Sequence, residues 1–240
     1  MVLDNNLKKI VLITGSNSDI GFAISLKFLK KGFFVCFNTR KKVSKKIFNK
    51  NISLLFKLGQ DYQIFQGDIT DKNYTNTMLK KINKDFGPID LLINNAAKTD
   101  NILKKLSVDN YRNIFETNFF GALETSISYL KSNNIINKNI INISSIVVKK
   151  GSYNFPAYAA SKAAIDNITM SLSKIYNENR VMSLILAPTD TKKFHFNHKK
   201  SLNKNTIKLL SPTSVANKVF NIYSNNATYK SGKIYELIKK

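Results

Sequence analysis

The run KIVLITGSNSDIG, Lys9 to Gly21, decides how this chain is read. Lys9 to Thr14 is apolar without alternation, the form of a strand buried on both faces. It ends in Gly15-Ser16-Asn17-Ser18, a tight loop. From there Ile20, Ala23, Ile24 and Phe28 recur at helical spacing until Gly32 stops them. Glycines in such a strand-to-helix turn let the backbone approach a pyrophosphate. The helix N-terminus then supplies N–H donors and the positive end of a dipole.

The same unit repeats along the chain. Further strands are predicted at Phe33–Phe37, Tyr62–Phe65, Asp90–Ile93, Ile140–Ile143, Val181–Leu186 and Lys233–Leu237. Helices are predicted at Lys42–Leu58 (closed by Gly59), Asp71–Phe86, Val108–Ser132 (capped by Ser107), Asn154–Tyr176 and Pro212–Tyr223. Strands alternating with helices imply an α/β fold, a doubly wound parallel sheet of about seven strands with helices on both faces. No linker, repeat or low-complexity tract interrupts it, so residues 1–240 read as a single domain. Ligands of such sheets bind outside the carboxyl ends of the strands. Gly15 to Gly21, Asn38 to Lys42, Asp68, Asn94 to Ala97, Ser145 and Pro188 all follow strands. The polar stretch 189–211 is less regular and reads as a substrate lid.

Composition narrows the class. The chain has 240 residues and a formal charge of +23. The basic residues are scattered and nearly all lysine, with arginine only at Arg40, Arg112 and Arg180. No basic segment is interleaved with stacking aromatics, so a nucleic-acid partner is not expected. A basic surface would instead attract an acidic partner or a phosphorylated substrate. No apolar run reaches the roughly 18 residues of a membrane span, and the first residues do not resemble a secretory signal. Cys36 is the single cysteine, which suits a cytoplasmic protein without a disulfide. His195 and His198 have no third ligand spaced nearby, so no metal site is expected.

The chemistry concentrates in NISSIVVKKGSYNFPAYAASKAA, Asn142 to Ala164. The strand delivers Ser145, and after a Gly151- and Pro156-marked loop Tyr158 and Lys162 stand four residues apart. On a helix that spacing puts phenol and ammonium on one face. A free tyrosine titrates near ~10, and a fixed cation beside it lowers that value toward useful proton exchange.

With these motifs together, nearly the whole chain resembles the short-chain dehydrogenase/reductase family, whose domain is of the Rossmann type. The family's first loop, TGxxxGxG, maps onto Thr14, Gly15 and Gly21, with Asp19 at its middle glycine, where it would cap the helix and face phosphate oxygens. Asp68 matches the aspartate at the adenine ring. Asn95-Ala96-Ala97 matches Asn-Ala-Gly, and Asn118, in ETNFFG, matches the asparagine of the catalytic group. Ser145, Tyr158 and Lys162 complete a tetrad. Pro188 matches Pro-Gly, with Thr189 for the glycine, and Leu184 stands near the usual sixth-strand asparagine.

The resemblance implies hydride transfer between a nicotinamide and a carbonyl or alcohol carbon. Tyr158 would pass the proton, Lys162 would bond the nicotinamide ribose and lower the tyrosine pKa, and Ser145 would orient the substrate oxygen. Asn118 would hold a water that links Lys162 to solvent. Cofactor contacts are implied for Gly15, Ser16, Asn17, Asp19, Ile20 and Gly21, for Asn38, Thr39 and Arg40, and for Asp68 and Ile69. They are implied also for Asn95, Ala96 and Ala97, for Tyr158 and Lys162, and for Pro188, Thr189 and Thr191. The second strand ends Asn38-Thr39-Arg40-Lys41-Lys42, with cations where an NAD-binding acid would repel a 2′-phosphate, so NADP(H) is expected over NAD(H). Lys98 to Asn118 looks like the 3-oxoacyl-acyl-carrier-protein reductases, implying a small-molecule or carrier-bound carbonyl substrate. A sugar- or surface-polysaccharide-pathway reductase and a non-catalytic NAD(P)-binding regulator are the alternative readings. Family relatives pair through the helices here at Val108–Ser132 and Asn154–Tyr176, so a homodimer or homotetramer is expected.

Overall fold

All four side chains of the first strand, β1 (Ile10–Ile13), are buried. Val11 and Ile13 face one core, Ile10 and Leu12 the other, as alternate residues of a strand must. The computed structural model describes residues 8–41, 62–100, 106–132, 137–197 and 208–238. In it β1 joins β2 (Phe34–Thr39), β3 (Tyr62–Gln66), β4 (Ile89–Asn94), β5 (Asn139–Ser145), β6 (Arg180–Leu186) and β7 (Ile234–Leu237). They form one parallel, seven-stranded sheet ordered β3-β2-β1-β4-β5-β6-β7. The order reverses between β1 and β4, which opens a crevice at their carboxyl ends.

On one face α1 (Asp19–Leu29) packs with α7 (Pro212–Ser224). The Phe28 ring meets Phe33 at 5.1 Å, Phe220 at 5.4 Å and Tyr223 at 6.0 Å, all edge-on. The other face is covered by α2 (Lys72–Asp85), α4 (Ala122–Lys131) and α5 (Pro156–Ile175), whose Met78, Leu79, Tyr129 and Leu172 bury Leu12 and Ile140. The fold expected from the sequence is thus the fold observed.

Three details differ from the sequence expectation. The helix predicted over Val108–Ser132 is α3 (Val108–Phe115), a wider π-turn over Glu116–Gly121, then α4. Hydrophobic periodicity cannot register one wide turn inside a long helix. The stretch after β6 contains a short helix, α6 (Lys192–Asn197), started by the Thr191 hydroxyl, which accepts from the Phe194 N–H at 3.0 Å. Two basic residues also serve inside the protein. Lys138 Nζ donates to the carbonyls of Tyr129 (2.9 Å) and Leu130 (3.0 Å) at the end of α4, and the Arg180 guanidinium caps Ile222 and Tyr223 at the end of α7. The predicted helix Lys42–Leu58 with Gly59, and His198, lie outside the described residues.

Candidate active site

The carboxyl ends of β1 and β4 are stitched together. Thr14 Oγ1 accepts the N–H groups of Asn95 and Ala96, each at 3.1 Å. Asn95 Nδ2 donates to the carbonyls of Thr14 (3.0 Å) and Gly15 (2.9 Å) and to Ser18 Oγ (3.2 Å). This closeness requires glycine at Gly15: its φ is +61°, and a Cβ there would lie 2.7 Å from the Ala96 Cα. Ser18, not Asp19, is the N-cap of α1, its hydroxyl accepting from the Gly21 N–H at 3.1 Å. Asp19 reaches the other way and accepts from the Lys192 N–H at 2.7 Å, tying the loop to α6. The expectation that Asp19 caps its own helix is corrected accordingly, because the serine before it already fills that position.

The far end of the crevice lies beyond β2 and β3. Asn38 is buried, its amide donating to Gly67 O (3.2 Å) and the Tyr74 hydroxyl (2.9 Å). Arg40 and Asp68 line the crevice and stand 3.6 Å apart as an ion pair, half-exposed and therefore weak.

At the near end, β5 delivers Ser145 and α5 carries Tyr158 and Lys162. Pro156 at the first turn of α5 presets its backbone, but no side chain of its own cap position closes the turn. Asp100 does so from the loop after β4. Its buried carboxylate accepts the N–H groups of Ala157 (3.1 Å) and Tyr158 (2.8 Å), and Asn110 Nδ2 at 2.9 Å. Further along, Asp166 accepts from Ser144 Oγ at 2.9 Å and Ser183 Oγ at 2.5 Å, joining α5 to the end of β5 and the middle of β6. Lys162 Nζ donates to Ile143 O at 2.7 Å and lies 5.8 Å from the centre of the Tyr158 ring.

Burial dominates the ionisation of this group. It pulls the Lys162 ammonium down to about 8, against Asp166, which holds it up; the charge of Lys193 pulls it further down. Burial pushes the Tyr158 phenol up, and its hydrogen bond with Ser145 works against that rise. The expected lowering of the tyrosine by Lys162 is therefore not realised in the chain alone. Asn118 also departs from expectation. Its amide donates to Lys98 O (3.0 Å) and Ser161 Oγ (2.9 Å), and its oxygen accepts from Lys98 N (2.7 Å). Both amide hydrogens are thus spent on holding the loop to α5, which the wide turn makes possible.

A cleft of about 740 Å³ runs between these ends. Gly15, Asn17, Asp19, Ile20, Asn38, Arg40, Asp68, Ile69, Asn95, Ala96, Ala97, Ser145, Tyr158, Lys162, Pro188, Thr189 and Thr191 all line it. Ser16, Gly21, Thr39 and Asn118 do not; they are buried behind its wall. Ser16 is turned inward by its bond to Asn38 O at 2.9 Å, and Thr189 spends its hydroxyl on Ala187 O at 3.1 Å. Thr117 Oγ1, from the wide turn, has no partner among the described residues, in a side chain that lines the cleft. Sequence reasoning missed Asp100, Asp166 and Lys193. The first two are acids displaced from any motif, detectable only as charges in otherwise apolar or loop segments.

Comparison with known proteins agrees with this fold. Residues 9–202 match the family model described as short chain dehydrogenase. The 3-oxoacyl-acyl-carrier-protein reductase FabG of Haemophilus influenzae is 32% identical over 75% of this chain and 73% of that protein. Among solved structures, ElxO with NADP bound has a TM-score of 0.85 at 24% identity, covering 95% of this chain and 96% of that one. A variant of actinorhodin polyketide ketoreductase with NADPH has a TM-score of 0.83 at 19% identity, covering 96% of this chain and 95% of that one. The chain belongs to the short-chain dehydrogenase/reductase family of oxidoreductases.

Proposed function

We propose that the protein is an NADP(H)-dependent reductase that transfers hydride between a nicotinamide and the carbonyl carbon of a small or acyl-carrier-bound substrate. The observation that carries this reading is one cleft lined at one end by Ser145, Tyr158 and Lys162 and at the other by the glycine loop and Arg40. The residues fit a dinucleotide: the Gly15 turn at the N-terminus of α1 lines the cleft, where backbone N–H groups and the positive end of the helix dipole suit a diphosphate. Arg40 is a cation suited to a 2′-phosphate, with Asp68 close enough to compete for it. When bound, the nicotinamide supplies or takes the hydride.

The chain's own residues do the rest. Tyr158, kept protonated at neutral pH by its burial, donates its phenolic proton to the substrate oxygen. Ser145, which lines the cleft beside that phenol, donates to the same oxygen and stabilises its developing charge. Lys162 would bond the cofactor ribose, and Asn118 braces the loop at Lys98 against Ser161 of α5. NADP and NADPH in the two structural relatives and the carrier-protein substrate named for the Haemophilus relative support the cofactor and substrate class.

The domain acts as one unit over residues 1–240. Val108, Phe120, Met170 and Ile175 are exposed apolar side chains on the helices expected to pair, which supports a homo-oligomer. Among the described residues no helix is long and apolar enough to cross a membrane, and no cluster of metal ligands occurs.

The test is oxidation of NADPH against NADH with 3-oxoacyl thioesters, keto-sugars and small diketones, with Tyr158→Phe as control. Tyrosine-dependent turnover with NADPH is expected. Equal or better use of NADH would remove the assigned role of Arg40, and failure to bind either cofactor would overturn the reading.

A further inference from the structure

Among the described lid residues, Lys193 is the one whose ammonium reaches back into the cleft to a backbone atom. Its Nζ donates to Ala97 O at 3.2 Å. Burial among the cleft walls pulls its ammonium down, and its charge in turn pulls down Lys162, so two cations are felt together on the catalytic side of one concavity. The side chain is exposed to solvent and lines the open cleft, its ammonium on Ala97 O.

No carboxylate pairs with Lys193 among the described residues. The acids lining the cleft are Asp19 and Asp68, the first engaged with the Lys192 N–H and the second with Arg40. Asp166 faces Lys162 from the helix interior, but its oxygens are taken by Ser144 and Ser183. The position of Lys193 is also fixed from both sides. Asp19 accepts the N–H of the residue before it, and Thr191 accepts the N–H of the residue after it.

We propose that Lys193 is an anion-binding residue of the cleft, taking a phosphate or carboxylate oxygen of the bound ligand. Two sources carry that chemistry: the diphosphate of the dinucleotide, or an anionic group on the carbonyl substrate. The second source rests on the function proposed above; the first needs only a phosphate-bearing ligand. Asp19 acquires a role here, since the acid at the loop's usual glycine holds the lid helix where Lys193 faces the cleft.

The test is calorimetric titration of the wild type, Lys193→Gln and Lys193→Arg with inorganic pyrophosphate and with NADPH. Binding of acetoacetate and of its methyl ester at saturating NADPH completes it. Lys193→Gln is expected to weaken pyrophosphate about tenfold, the loss of one charge-assisted hydrogen bond, with Lys193→Arg restoring most of it. A parallel loss for NADPH assigns the anion to the cofactor. Unchanged NADPH binding with lost preference for acetoacetate over its ester assigns it to the substrate. No change in any of the titrations overturns the proposal. Lys193-dependent pyrophosphate binding in a wild type that does not bind NADPH would support this inference while defeating the proposed function.

Discussion

The wall formed by β5 and α5 and the lid formed by residues 189–197 border the same cleft but are held in opposite ways. The wall is fixed by buried groups: Asp100 on the first turn of α5, Asp166 on Ser144 and Ser183, Lys162 on Ile143 O, Asn118 on Ser161. The lid is mostly exposed; a backbone bridge between Thr189 and Leu210 pins its root, and beyond that it is held by single bonds, Asp19 to Lys192 N–H, Thr191 to Phe194 N–H and Lys193 to Ala97 O. Proton transfer needs heavy atoms held within hydrogen-bond reach, which buried, mutually satisfied partners provide. A surface that admits and releases ligands is drawn from the less stable parts of a fold.

That contrast can be broken at several points, and the largest effect is expected at Tyr158. Tyr158→Phe removes the proton donor but keeps the ring, so turnover should fall by about 10²–10⁴-fold. Its NADPH affinity, read by fluorescence titration, should stay at the wild-type value. A variant that keeps turnover would move proton donation away from the wall.

The next effect concerns Lys162, whose ammonium sits at about 8 in the fold against an ordinary 10.5. Below pH 8 the folded and unfolded chains both carry the proton, and the fold bears the full penalty of the buried charge. Between the two values the unfolded chain binds more protons, so this group adds stability as pH rises, by up to about 3 kcal/mol. Buried tyrosines with raised pKa values contribute in the opposite sense at high pH. The difference between wild type and Lys162→Met in urea unfolding, followed from pH 7 to 10, isolates the lysine. A difference that does not vary with pH would mean that Lys162 is not the buried cation described.

Asp100→Ala should lower stability by about 1–3 kcal/mol, because it leaves two N–H groups of α5 and the Asn110 amide without their acceptor. A loss of kcat larger than the rise in KM, at temperatures where the variant is fully folded, would mark Asp100 as positioning Tyr158. Asp100→Asn, which keeps one acceptor oxygen, should recover part of both.

Asp19→Asn gives the smallest expected effect. It sits in an exposed bond of the lid, so global stability should change by no more than about 0.5 kcal/mol. Hydrogen exchange should quicken at the Lys192 amide and its neighbours and remain unchanged in α5. Faster exchange in α5 as well would mean that the lid and the wall are one cooperative unit.

Much of this molecule was legible before its structure. Uninterrupted apolar runs such as KIVLIT and the glycines after them belong to local sequence, and buried parallel strands leave that record. The same holds for Ser145, Tyr158 and Lys162, whose spacing along one strand end and one helix face is fixed by local geometry. Ser18 against Asp19 as the cap was not legible, because either residue type fills that position and only the folded chain shows which carbonyls and amides are left over.

What the sequence by itself determined was therefore the order of strands and helices, the parallel sheet and the residues proposed to carry a proton. Those depend on periodicity and on contacts within a turn or two. What only the tertiary structure decided was which distant groups hold them. Asp100 caps a helix 56 positions away in numbering terms from its own loop, counted to Pro156, and Asp19 reaches a lid 173 residues on. Asn118 braces Lys98 against Ser161, 43 residues on. Hydrogen bonds between segments so far apart depend on where the sheet brings their ends together, and no local pattern records that.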